Sequence, residues 1–231
     1  MWAFPLAAAV VAAAFASLVA RQYAERRRPH QLAWALSLAM YAVASTAVAL
    51  GVAGGWTTGE FQAYWALGAV LTVPFLAGGE VMLLAGNRTV HAAVWVVLVF
   101  VTAYTVSVLR GASMDMGALG ADLPSGKHVF GDGSAAHRLP QLISIPSYVV
   151  LLAGTLWSAW RMRGRPALRD RFAGTLLVAL GATVIAGFGS AFAALGYLAA
   201  FSAALVAGVS VMFAGFLRAG RPQHAAVADA A

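Results

Sequence analysis

The sequence predicts an all-α protein, a polytopic bundle of seven transmembrane helices. Of its 231 residues, 61% are hydrophobic and only 10% are charged, which is too little polar surface to cover a soluble globule of this size. Seven apolar stretches each have about the 20 residues that cross the hydrocarbon core of a bilayer as a helix. Arginines also cluster in alternate connections, the pattern of cytoplasmic loops. Together these observations predict a membrane protein.

The first stretch sets the predicted orientation. It runs from Trp2 to Ala20, has no basic residue before it, and is followed by Arg26, Arg27 and Arg28. A secretory signal has the opposite charge order, so we expect a retained helix with the N-terminus outside the cell. The next three predicted helices cover about residues 31–52, 61–85 and 90–109.

Residues 111–140 follow the fourth helix and are predicted to lie outside. They are rich in Gly, Ser, Asp and Pro and lack helical or strand periodicity, which indicates an irregular surface loop. The last three predicted helices cover about residues 142–160, 172–192 and 197–217, with a turn near Leu195 and Gly196. The single domain therefore spans residues 1–221, and residues 222–231 form a short cytoplasmic tail. The predicted location is the plasma (inner) membrane.

Composition also excludes several classes of function. Helices and one loop use nearly the whole chain, which leaves no room for a kinase or nucleic-acid-binding domain. The formal charge of +7 follows from the arginine-rich connections, so it does not indicate a nucleic-acid partner. The chain has no cysteine, and its one lysine, Lys127, lies in the outer loop. A retinal Schiff base on a helix lysine is therefore excluded, and no cofactor is predicted.

An internal repeat is a candidate feature of this chain. At an offset of 130 residues, Ala77, Gly78, Val81, Met82 and Arg88 match Ala207, Gly208, Val211, Met212 and Arg218. A three-helix unit used twice around a linker helix, a 3+1+3 plan, would produce such matches.

Glu80 is the most informative single residue. An ionisable group about eight residues inside a helix end costs several kcal/mol unless it is paired, protonated or hydrated, so we expect it to face the bundle. Glu80 could have either of two roles. It could accept a structural hydrogen bond from a hydroxyl group, or it could bind a proton or a ligand. Candidate partners at similar depth are Ser17, Ser37, Tyr41, Ser158, Thr175 and Ser210.

A second polar cluster is predicted toward the outside, near Tyr64, Tyr104 and Tyr148. Pro74 and Pro146 can bend their helices and free carbonyl groups, so the cluster could line a cavity for a small, mostly apolar ligand. The alternative is that these residues form an interfacial belt and pack between helices. With Glu80, Tyr41 and Ser210, they are the candidate ligand-binding residues.

Two further groups of residues could bind ions, lipids or a protein partner. His128, His137 and Asp132 could offer ligands to a divalent ion, although their spacing matches no known zinc or calcium loop. The arginines of the inner connections could bind anionic lipid headgroups or a protein partner; these are Arg26, Arg27, Arg28, Arg163, Arg165 and Arg169.

The first half of the chain resembles the seven-helix membrane-sensor regions of some bacterial histidine kinases. The resemblance rests on RRRPHQLAWALSLAMYAVAS and on a third helix with YWALG and LTVPFLAG, within residues 22–84. The basic residue usual at the start of the third helix is missing, since Gln62, Ala63 and Tyr64 stand there. The resemblance implies a sensor that signals through its cytoplasmic face, here without an attached kinase.

The sequence thus leaves two functions open. The first is a sensory or accessory subunit that acts through a cytoplasmic or membrane partner. The alternative is a small-molecule transporter, proton-coupled through Glu80. We do not expect an enzyme, because no complete set of catalytic groups is found.

Overall fold

The computed structural model describes residues 1–120 and 122–220; the predicted tail at 222–231 lies outside this range, as does Arg221. The described residues are almost entirely helical and contain no strand. Within these described residues, seven helices are long and apolar enough to cross a membrane, which confirms the predicted all-α class and helix number. We label them α1 (Ala3–Arg26), α2 (Pro29–Gly54), α3 (Thr58–Ala85), α4 (Arg88–Arg110), α5 (Ala135–Met162), α6 (Pro166–Ala194) and α7 (Leu198–Ala219).

Local sequence signals explain the helix ends. Helix α3 begins with a capping box, in which the Thr57 hydroxyl accepts from the Glu60 N–H and the Glu60 carboxylate accepts from the Thr57 N–H. It ends at Gly86, whose φ of 58° is readily adopted only by glycine. The predicted turn between α6 and α7 is confirmed, and Gly196 there has a φ of 72°.

The two ends of the bundle differ in charge. We call the end where α1, α3, α5 and α7 terminate the arginine-rich end, because the connections at 26–28 and 161–171 lie there. The opposite end, which carries residues 111–134, is called the loop end. The helices reach beyond the predicted apolar stretches at the arginine-rich end, as α1 includes Arg21 and Arg26. Long arginine side chains allow this, because their apolar stems can pack along a helix while the charge stays in water.

Six of the seven helices form a ring. In order around it they are α1, α2, α3, α5, α6 and α7, and α7 packs against α1 to close it. Helix α4 lies outside the ring against α3, where Gly78 allows Val94 and Leu98 to approach closely. The residues that suggested a repeat make different contacts, because Gly78 faces α4 whereas Gly208 faces Ile185 of α6.

Helices α6 and α7 approach more closely than side chains would permit. A Cβ built on Gly174 would lie 2.5 Å from the Gly215 carbonyl oxygen, and one on Gly215 would lie 2.6 Å from the Gly174 oxygen. Gly181 and Gly208 form a second facing pair seven residues, or about two turns, along each helix. Only glycine lets two backbones meet in this way, which is how small residues drive helix association.

The loop-end segment differs from the predicted irregular surface loop. It contains a short helix, Gly126–Phe130, and α5 already begins at Ala135, inside the predicted loop. Leu119, Leu123, Val129, Phe130 and Leu139 are buried, so we call residues 111–139 the cap. The prediction was wrong because the apolar residues are too few and too irregularly spaced to show periodicity. They become buried only in the tertiary structure, where for example Phe130 packs against Phe61 and Trp65 at the start of α3.

Candidate functional site

The ring encloses a cavity of about 420 Å³ near the arginine-rich end. All six ring helices contribute to its wall, and α4 contributes nothing. Most of the lining is apolar, and the polar groups are few. Small-molecule sites have this volume and composition, with a small number of polar groups that fix the orientation of the ligand.

Glu80 is the buried charged group of this cavity. Its residue is 5% exposed, and the Ser158 hydroxyl donates to Glu80 Oε1 over 3.2 Å. Gly154 of α5 gives it room, since a Cβ at that position would lie 2.7 Å from Glu80 Cγ. The prediction that Glu80 faces the bundle is therefore confirmed, and Ser158 is the partner among the candidates. In the described residues no arginine, lysine or histidine forms an ion pair with Glu80.

Aromatic side chains line the cavity beside Glu80. Trp34 of α2 donates its indole N–H to the Leu76 carbonyl oxygen of α3 over 3.2 Å, and it lies directly against Gly79. On the α1 and α7 side, Phe15 and Phe216 pack with ring centroids 5.0 Å apart. The wall of this cavity is therefore lined by aromatic as well as aliphatic side chains.

Two arginines line the cavity at its mouth. Arg161 is near the end of α5 and Arg171 is in the first turns of α6, and both are exposed. Their neighbour Asp170 pairs with Arg218 at 3.1 Å instead. Neither mouth arginine forms an ion pair within residues 1–120 and 122–220. The cavity thus has a carboxyl group inside and two guanidinium groups at the opening.

A second cavity of about 30 Å³ lies deeper in the ring. Tyr41, Thr72 and Tyr148 give it polar edges, and the Tyr148 hydroxyl donates to the Thr183 hydroxyl over 2.8 Å. The two cavities share four lining residues from four helices, and we call these the apolar constriction: Leu38, Leu76, Leu151 and Met212. Apolar side chains therefore separate the large cavity from the small one.

Three ring helices contain wider π-helical turns near the second cavity. They are Tyr64–Leu71 in α3, Pro140–Ser144 in α5 and Val184–Gly189 in α6. Such turns leave backbone groups without their usual partners, and they are frequent at functional sites. The segments of α3 and α5 pack against each other, so the irregular parts of two helices meet inside the ring.

Side chains from neighbouring helices satisfy the freed carbonyl groups of α3. Pro74 has no N–H, so it cannot serve the carbonyls four and five residues before it. The Ser144 hydroxyl lies 2.7 Å from the Ala69 oxygen and 3.0 Å from the Val70 oxygen. The Ser37 hydroxyl donates to the Thr72 oxygen over 2.7 Å. The expectation that Pro74 frees carbonyls is confirmed.

Aromatic residues close the ring at the loop end. Five aromatic side chains are buried against one another there, and we call them the aromatic closure: Trp56, Phe61, Tyr64, Trp65 and Phe130. Two indole N–H groups hold the cap: Trp56 donates to the Asp122 oxygen over 3.2 Å and Trp65 to the Ala136 oxygen over 3.0 Å. The ring is therefore closed on this side.

The structure distributes the candidate ligand-binding residues over several places. Tyr41 and Tyr148 line the second cavity, and Tyr41 also donates to the Leu205 oxygen over 2.9 Å. Tyr64 belongs to the aromatic closure. Tyr104 is 43% exposed on α4, where it stacks on Phe100. Ser210 is exposed on the outer side of α7.

The remaining candidates lie at the two surfaces. In the cap, Lys127 pairs with Asp132 at 3.2 Å, and the nearest approach of His137 to Asp132 is 4.0 Å. His128 bonds to Ser125 instead, and among described residues no group of three or more suitable side chains could hold a metal. The predicted lipid or partner residues are all exposed at the arginine-rich end: Arg26, Arg27, Arg28, Arg163, Arg165 and Arg169.

Sequence reasoning missed Trp34, Gly154 and the two mouth arginines as site residues. Trp34 carried no distinguishing signal, because it is the sixth residue of α2 and follows the arginines at 26–28, where interfacial tryptophans also belong. Gly154 carried none, since its role depends on which residue of α3 it meets. No protein-family model matches the chain, and no curated protein or solved structure matches it significantly.

Proposed function

We propose that this chain is a multi-pass membrane protein that carries a small, mostly apolar molecule across the bilayer, with Glu80 as its ligand- and proton-binding group. One observation supports the proposal most strongly: six helices surround an apolar cavity that contains a carboxylate 5% exposed. An ionisable group there costs several kcal/mol and is typical of substrate pathways and proton relays. A glutamate that only accepted a structural hydrogen bond would not need a cavity around it.

The arrangement along the ring fits a transport pathway. We place the arginine-rich end in the cytoplasm, following the positive-inside rule. The large cavity then opens inward, the apolar constriction separates it from the second cavity, and the aromatic closure blocks the outside. We interpret α1–α3 and α5–α7 as the two units of a 3+1+3 plan that move against each other around the irregular segments. A protein that only bound its ligand in the large cavity, without transporting it, would not require the second cavity.

The transport hypothesis can be tested without knowing the ligand. The chain has no cysteine, so single cysteines can be introduced directly and labelled with a charged, membrane-impermeant maleimide. Thr175→Cys reports on the large cavity and Ala186→Cys on the second cavity. Val99→Cys is the control, because it is 65% exposed on the outer side of α4, where lipid would cover it. The reagent is added to either side of sealed vesicles.

We expect Thr175→Cys to be labelled from the arginine-rich side and Val99→Cys from neither. If the protein alternates between two states, Ala186→Cys becomes labelled from the loop side when a proton gradient is applied. Glu80→Gln keeps the size of the side chain and removes its charge, so it should abolish this gradient dependence. Labelling of Ala186→Cys that never occurs from the loop side, with or without a gradient, would contradict transport.

A sensory or accessory role is the second candidate, and the exposed arginines favour it. Arg163, Arg165 and Arg169 lie in or next to the turn between α5 and α6, directly beside the cavity mouth. A ligand in the cavity could change this turn and hence the docking of a cytoplasmic partner. Photo-crosslinking from Arg165 in native membranes should then recover one protein reproducibly. Recovery of lipid alone would argue against the sensory role.

A further inference from the structure

The large cavity brings together three ionisable side chains that form no ion pair among the described residues. The ion pairs within residues 1–120 and 122–220 involve Lys127, His137 and Arg218 with Asp132 or Asp170. Glu80, Arg161 and Arg171 are in none of them, yet all three line the same cavity. A ligand with a single charge would pair either with Glu80 or with the two arginines, and it would leave the other group without a partner.

The charges are separated along the cavity axis. Glu80 is held at the level of Ser158, and Arg161 follows Ser158 by three residues on α5, a rise of about 4.5 Å toward the mouth. Arg171 approaches the same opening from α6, four residues before the cavity-lining Thr175. Between the inner negative group and the outer positive pair the wall is formed by apolar side chains, among them Leu84 and Phe216.

We propose that the ligand is a bipolar amphiphile, with an ammonium group at one end, an apolar middle and a carboxylate or phosphate at the other; this rests on the transport function proposed above. The ammonium donates to the Glu80 carboxylate inside the ring, and Trp34, which lines the same cavity, offers an aromatic ring for an interaction with a cation. The anionic end accepts from the guanidinium groups of Arg161 and Arg171, which can bind carboxylate or phosphate in a bidentate manner.

Simpler ligands fit the charges less well. A lipophilic cation would satisfy Glu80 but would have to pass two uncompensated arginines at the mouth. A fatty anion would satisfy the arginines but would leave the enclosed Glu80 carboxyl group without a cationic partner, so it would use only one of the two polar ends of the cavity. Lipid headgroups account for exposed arginines such as Arg163 and Arg165, but these residues do not line the cavity.

Probes with one chain length and different ends test the proposal. We suggest aminooctanoate, octylamine and octanoate, titrated calorimetrically into protein in nanodiscs, with empty nanodiscs subtracted to remove partitioning into lipid. The variants are Glu80→Gln and the double variant Arg161→Gln with Arg171→Gln. Arg163→Gln is the matched control, because it removes an exposed arginine of the same connection that does not line the cavity.

We expect aminooctanoate to bind most tightly. Glu80→Gln should weaken aminooctanoate and octylamine by about tenfold or more and leave octanoate unchanged, as expected for the loss of one charge-assisted hydrogen bond. The double arginine variant should weaken aminooctanoate and octanoate similarly and leave octylamine unchanged. Arg163→Gln should change none of them. Labelling of Thr175→Cys in each variant shows that the cavity is intact.

The results that would contradict the bipolar ligand class can be distinguished from those that would contradict transport. If octylamine binds as tightly as aminooctanoate and the arginine variants have no effect, the bipolar class is wrong. The bipolar class is also wrong if no probe binds more than it does to empty nanodiscs while the accessibility of Ala186→Cys still changes with the proton gradient. In that case the pathway operates on another class of ligand. Absence of both probe binding and the accessibility change overturns the ligand class and the transport function together.

Discussion

The variant Gly215→Ala should weaken the packing between α6 and α7 and lower the stability of the protein. The added Cβ would lie 2.6 Å from the Gly174 carbonyl oxygen and 2.8 Å from Leu177 Cβ, whereas ordinary contact begins at 3.4 Å. These obstacles cannot rotate away, since one is backbone and the other is a Cβ. The helices must therefore separate by roughly 0.8 Å, a gap at which packed atoms lose a quarter to a half of their attraction.

Two opposing effects set the change in the free energy of unfolding for Gly215→Ala. Overpacking of this kind costs about 1–3 kcal/mol, and alanine regains up to about 1 kcal/mol because it is the better helix former. Gly187→Ala on α6 is the matched control, because nothing lies within 4 Å of its added Cβ. The two variants should therefore differ by about 2 kcal/mol, or about 4–8 °C in the unfolding midpoint.

Thermal unfolding in detergent, followed by circular dichroism, measures this difference. The control variant should unfold at or slightly above the temperature of the parent protein, and Gly215→Ala clearly below it. If both variants unfold at the same temperature, α6 and α7 do not meet through their glycines, and the close approach described here is incorrect.

Three further changes test other parts of the structure. Ser144→Ala removes the donor to the Ala69 and Val70 carbonyls, so it should destabilise the protein by about 1 kcal/mol; Ser147→Ala, whose hydroxyl bonds only within its own helix, should be near neutral in the same unfolding assay. Trp65→Phe loses the hydrogen bond to Ala136 and should speed hydrogen exchange in the cap without lowering protection in α6 or α7; equal loss everywhere would contradict a local role. Gly154→Ala places a methyl group 2.7 Å from Glu80 Cγ and should weaken aminooctanoate binding as strongly as Glu80→Gln, whereas Gly187→Ala should not.

The sequence was sufficient for the helices because the length and apolar composition of each stretch already predict a helix that could span a membrane. Each apolar stretch of about 20 residues became a helix. The start of α3 shifted to the polar cap Thr57, whereas α1 continues past its apolar stretch through Arg21 to Arg26. The orientation of Glu80 could also be predicted, since the cost of exposing a carboxylate to lipid leaves few alternatives. Both conclusions depend on properties of single segments.

The site depended on relations between segments, which the sequence does not contain. Gly154 faces Glu80 and Ser144 faces Ala69 because α5 packs against α3 in one register, and no local pattern fixes that register. Tyr104 and Ser210 had suitable chemistry but lie on outward faces. The cap was missed for the same reason, since its buried residues have no period of their own.

The hydrogen bonds between helices also bear on how the ring could move. Carbonyl groups of α3 accept hydrogen bonds from Ser37 and Trp34 of α2 and from Ser144 of α5. Movement of α5 past α3 would leave the first two bonds intact and would break the one from Ser144. A hydrogen bond of this type between helices contributes only about 1 kcal/mol, so thermal motion can open it. Helix α2 is therefore expected to move together with α3, and the boundary between moving units should lie between α3 and α5, the boundary that Glu80 and Ser158 also bridge.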